Sequence, residues 1–178
     1  MDLSAAHVHV MLVHVPLLGL FFGAVPLLVG LIAKQRLMIE TGLWMVALSG
    51  WSIAAVMSSG ETAKELADQG MGIAAYLDEA SWKILEEHYH AAERWAKPVY
   101  VTALLATVAI GMRWFWTRWQ RRVAWWALAM ALLSLPGMAL VANNGGQIRH
   151  PEFREAEAGG GVVEVETMEP AGEERLPE

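Results

Sequence analysis

No cysteine occurs in the chain. Disulfides, zinc–thiolate sites, iron–sulfur clusters and covalently attached c-type haem are therefore excluded, and any bound cofactor must be held by His, Met, carboxylate or backbone groups. Positive charge is scarce as well: 13 Lys and Arg stand against 19 Asp and Glu, for a net charge of −6. That balance, with the basic residues interspersed among tryptophans, excludes a nucleic-acid binder. Gly-x-Ser-x-Gly, His-Glu-x-x-His and phosphate-loop patterns are all missing. An enzymatic role would therefore be that of an oxidoreductase component rather than a hydrolase.

The largest absence is of charge between Ala6 and Ala33. An uncharged apolar run of this length spans a bilayer, and 55% hydrophobic residues gathered into four such blocks predict an all-α, four-transmembrane-helix bundle. The spans fall at about 8–33, 40–58, 98–112 and 123–142, within a domain over 1–154. The first is too long for a signal-peptide core and lacks a small-residue cleavage pattern, so it is expected to stay as a permanent helix. Gly19 and Gly23 in it, and Gly50 in the second, suit close helix packing. Ser59-Gly60-Glu61 reads as a helix start, and Asn143-Asn144-Gly145-Gly146 as a helix stop and turn. Ahead of the third span, Trp82, Leu85, His88, Tyr89, Ala92 and Trp95 or Ala96 form a helical stripe opposite Lys83, Glu86, Glu87, His90, Glu93, Arg94 and Lys97. This predicts an amphipathic extension with His88 inward and His90 toward water. From 155 to 178 Gly, Glu and Pro replace apolar periodicity, which predicts a disordered acidic tail.

The two short turns carry Lys34, Arg36, Arg113, Arg118, Arg121 and Arg122 against a single Glu40. By the positive-inside rule these turns are cytoplasmic, and both termini lie on the periplasmic side of a bacterial inner membrane. All six histidines, His7, His9, His14, His88, His90 and His150, then gather at the outer face. Aligning Lys34 with Arg113 as the cytoplasmic ends of the first and third spans sets His9 level with His88, and His14 level with Glu93. His7, Met11 and His14 share one face of the first helix while His9 points away from it.

Ionisable groups at such depth mark function. A b-type haem requires axial imidazoles from different helices, a flat slot and donors for its propionates. His14 or His9 with His88 supply the ligands, Gly19 or Gly50 the slot, and Arg149 or Arg154 the propionate contacts. A copper, iron or zinc site draws equally on His7, His9, His14, His88, His90 and His150, with Met11, Glu86 or Glu87. Glu87 and His90 give one Glu-x-x-His, where di-iron carboxylate bundles carry two. The third reading is structural, with the histidines hydrogen-bonded between helices. The expected partners, besides the lipid bilayer, are a periplasmic redox protein, the quinone pool or a larger membrane complex.

At His9-Val10-Met11-Leu12-Val13-His14-Val15-Pro16-Leu17 and Asn144-Gly145-Gly146 the chain resembles a family of bacterial four-helix membrane proteins catalogued as a domain of unknown function. The resemblance covers about Ala6 to His150 and implies the same four-helix fold. It points to His9, His14, Pro16, Gly145 and Gly146, with His88 in the place of the family's mid-chain histidine. Val10 stands where the family has proline, and His150 follows the glycine pair sooner than the family's later histidine. The family implies a fold and an association with membrane redox proteins, and no particular reaction.

Overall fold

A computed structural model describes residues 5–115, 117–150 and 154, residues 117 and 149 by their backbone alone. Four long helices account for nearly all of them: α1 (Ala5–Ala33), α2 (Arg36–Asp68), α3 (Glu79–Met112) and α4 (Thr117–Arg149). Each is long and apolar enough to cross a membrane. At 1.5 Å rise per residue, helices of 29 to 34 residues extend about 43–51 Å, more than the roughly 30 Å hydrocarbon core, so in a bilayer their ends would reach headgroup depth.

The helices form two antiparallel hairpins, α1 with α2 and α3 with α4, and the α2–α3 and α1–α4 contacts close the bundle. In the first hairpin Gly19 lies against Ser49, Gly23 against Val46, Gly30 against Ile39 and Gly42 against Leu27. A Cβ on Gly42 would come within 2.5 Å of the Leu27 backbone nitrogen, so these backbones touch at a distance that only glycine permits. The second hairpin buries a row of alanines, sets Gly137 of α4 against the Trp95 ring of α3, and meets α2 with Ala103 over Gly50. Ala103, Ala106, Ala109, Ala124, Ala127 and Ala131 are all fully buried. Thr102 and Ser134, also fully buried, donate to the carbonyls of Pro98 and Met130 in their own helices, which satisfies their hydroxyls without water.

Loop chemistry explains the helix ends. Lys34 takes a left-handed conformation (φ 58°) and Gln35 N–H bonds back to the Gly30 carbonyl, closing α1 with a Schellman turn. Gly70 (φ 75°) closes α2 in the same way, with Met71 N–H on the Leu66 carbonyl. Asp78 caps α3, its carboxylate accepting from Ser81 N–H at 2.6 Å. On the outer surface of α1, Val15, Leu18, Phe21, Phe22 and Val25 are exposed, a band too large and apolar for water.

Two expectations about helix ends are corrected. Ser59-Gly60-Glu61 does not start a helix but lies inside α2, and Asn143 to Gly146 does not stop one but lies inside α4. Between α2 and α3 the connection is residues 69–78, with a short 3-10 turn at Ala74–Tyr76. The reason lies at the histidines.

Candidate functional site: two histidines between the hairpins

His9 on α1 and His88 on α3 meet near the end of the bundle where the chain begins, their ring centroids 6.3 Å apart and their planes perpendicular. Each ring is anchored inside its own hairpin. His9 Nδ1 lies 3.0 Å from the Val56 carbonyl oxygen and 3.1 Å from Ser59 Oγ, both on α2. His88 Nδ1 lies 2.9 Å from the Val141 carbonyl oxygen on α4. A carbonyl oxygen only accepts, so each Nδ1 carries the proton and each neutral ring presents an unprotonated Nε2. Ser59 Oγ donates to the same Val56 carbonyl at 2.9 Å, which leaves its lone pairs for the His9 N–H.

The two arrangements repeat one another. Four residues after each accepting valine stands a glycine, Gly60 after Val56 and Gly145 after Val141. A Cβ on Gly60 would lie 2.8 Å from His9 Cε1, and one on Gly145 would lie 3.1 Å from His88 Cε1. Both glycines are therefore places where an imidazole lies on a helix backbone. The residues alone read as punctuation because glycine usually serves that purpose, Gly145 stood out only through the resemblance, and neither Ser59 nor the two valine carbonyls was read as a histidine partner. The recoverable signal was the equal spacing, Val-x-x-x-Gly, on two helices antiparallel to His-bearing partners.

The remaining candidates stand elsewhere. His14 is exposed and its Nδ1 donates to the Val10 carbonyl of its own helix, 2.9 Å away. His7 and Met11 are exposed on α1, and His150 is exposed after α4. His90, 61% exposed, pairs with Glu86 and Glu93 on its own helix, and Glu87 is exposed beside it. Gly19 and Gly50 open no slot, because Ser49 fills the space over the first and Ala103 the space over the second. Among the described residues no three His, Asp or Glu converge on one point.

Arg154 returns to the bundle. Its guanidinium donates to the carbonyls of Gln147 and Ile148 and to Ser81 Oγ, and pairs with Asp78 at 3.4 Å, which ties the end of α4 to the start of α3. Hydrogen bonding from the Ser81 hydroxyl and backbone N–H holds the Asp78 carboxyl below its ordinary value, and the Arg154 charge adds to this. The Arg149 side chain and residues 155–178 lie outside the described residues.

The arrangement thus defines a class: a four-helix bundle, consistent with a multi-pass membrane protein, with two preset imidazoles facing each other across a hairpin interface. No family model, curated protein or solved structure matches the chain.

Proposed function

We propose that the protein is a haem b-carrying electron-transfer subunit of the bacterial inner membrane, with His9 and His88 as its two axial ligands. The observation that carries this reading is the pairing of the two rings. Two imidazoles brought together from different hairpins could hold one metal between them, and haem iron there would supply the redox chemistry. The His9 and His88 centroids are 6.3 Å apart. The donor set fits too: Nδ1–H on a carbonyl fixes the tautomer and leaves Nε2 as the ligating atom, the arrangement that metal-bound histidines adopt. Haem would supply a one-electron couple. The chain would supply ligands, their orientation and a low-dielectric surround that tunes the potential.

The basic turns at the opposite end support a cytoplasmic location for those turns and a periplasmic one for the site. Exchange with a periplasmic redox protein or the quinone pool follows from that depth, and membership of the four-helix family that the first helix resembles belongs to the same reading. Copper on the same two nitrogens is the second reading, because two neutral imidazoles suit copper as well as iron.

The deciding experiment is an absorption spectrum of the detergent-purified protein from haem-replete cells, with metal analysis. A Soret band that shifts on dithionite reduction, with the haem extractable into acidified organic solvent, is expected. Colourless protein with stoichiometric copper would transfer the site to copper, and protein with neither would leave the histidines a structural role.

A further inference from the structure

The end of the bundle opposite the histidines has its own construction. The first turns of α4 carry Arg118, Arg121 and Arg122, which with Trp125 line an open cavity of about 500 Å³. Beside it, Lys34, Arg36, Ile39, Glu40, Gln120 and Arg121 line a second cavity of about 260 Å³. Arg121 lines both. The first cavity has three guanidiniums and no carboxylate. In the second, Glu40 is already engaged, by Arg36 at 2.8 Å and by Arg113 at 3.0 Å.

The cations are incompletely used within the chain. Arg121 makes a long contact, 3.4 Å to the Leu31 carbonyl. Arg122 stacks over Trp119 at 4.8 Å, which occupies the face of its guanidinium and leaves the N–H edge. Trp114, Trp119, Trp125 and Trp126 are exposed around them. Indoles at a helix end belong at headgroup depth, so anions reaching these cavities in a membrane come first from lipid phosphates.

We propose that this end of the bundle binds an anionic phospholipid with two phosphates, diphosphatidylglycerol, one phosphate in each cavity and Arg121 between them. Two adjoining cationic cavities with a shared arginine match paired phosphates on one short linker, and arginine is suited to phosphate through its forked donors. A single-phosphate lipid in the first cavity leaves Lys34 of the second without an anion, since Glu40 is taken up by Arg36 and Arg113. The proposal is independent of the histidine site.

The test uses the full chain in detergent and reads its thermal unfolding midpoint with added diphosphatidylglycerol, with phosphatidylglycerol at equal total phosphate, with phosphatidylcholine and with pyrophosphate. Diphosphatidylglycerol should raise the midpoint by about twofold more than phosphatidylglycerol does, and phosphatidylcholine should leave it unmoved. Arg121→Gln should erase the difference between the two anionic lipids, and Arg118→Gln should reduce it. An equal shift from phosphatidylglycerol would overturn the two-phosphate claim, and an equal shift from pyrophosphate would make the ligand a soluble anion. Should Arg121→Gln fail to fold, mass spectrometry of lipids retained by the wild-type protein decides the matter. Enrichment of diphosphatidylglycerol over its share in the source membrane supports the proposal, and no enrichment refutes it.

Discussion

The two hairpins hold their histidines alike and their helices differently. In each, a ring on the first helix donates from Nδ1 to a valine carbonyl of the second and lies over a glycine one turn on. Yet α1 and α2 approach through glycines set against the partner backbone, whereas α3 and α4 bury alanines and a Thr102–Ser134 pair and use Gly137 to seat the Trp95 ring. Packing that can be achieved in two ways is a means of holding helices together. The feature that stays the same in both is the one the site requires.

The largest expected effect tests that sameness. If the site holds haem b as proposed, His9→Ala and His88→Ala should each abolish its low-spin spectrum, because one remaining imidazole cannot supply both ligands. His14→Ala should leave the spectrum unchanged, since its ring is exposed and bonded to its own helix. Unequal losses from the two buried histidines would break the equivalence. Gly60→Ala and Gly145→Ala refine it: the contact at Gly60 is the tighter, 2.8 Å against 3.1 Å, so the Gly60 variant should disturb the spectrum more.

A smaller effect separates the two modes of packing. Gly42→Ala forces a methyl into the Leu27 backbone and should cost about 1–3 kcal/mol of stability, read as a lowered unfolding midpoint in detergent. Gly111→Ala, with no neighbour within 4 Å, should be neutral or gain roughly 1 kcal/mol through helix propensity. A harmless Gly42→Ala would show that the first hairpin can relax and that its glycines are not required.

The smallest effect concerns acid. α3 opens with a side-chain cap, whereas α2 begins at Gln35 without one. The Asp78 carboxyl is held below its ordinary value, so its contribution is complete above the unfolded-state pKa and is lost as pH falls through the lower folded-state value. Hydrogen exchange at the start of α3 should therefore quicken below about pH 4 in the wild type, and already be fast at neutral pH in Asp78→Ala. An Asp78→Ala protein that exchanged at the wild-type rate would show the cap to be dispensable.

Much of this architecture was legible in the sequence, for reasons that can be named. Four apolar runs far longer than a soluble helix requires give four long helices, and the charges bordering the short turns fix the vertical register well enough to level His9 with His88. Helical phase was less decisive: His9 and His14 are five residues apart, about 140° around the helix, so only one can face the bundle. Nothing in the apolar composition of α1 says which. Gly19 and Gly50 show the other limit. A small residue permits close approach, but whether a ligand, Ser49 or Ala103 occupies the space depends on helix rotation, which follows from packing.

The anchoring of each ring within its own hairpin has a consequence for biogenesis. Were the hairpins to form before they dock, each would already hold one imidazole against a carbonyl of its second helix. Neither pair alone can offer two ligands to one metal. A ligand that bridges the rings is consequently bound only once the pairs have docked, and it stabilises their docking by the same free energy that docking adds to its own affinity. Saturation of the site would thus be a record of completed assembly, written in the cofactor itself.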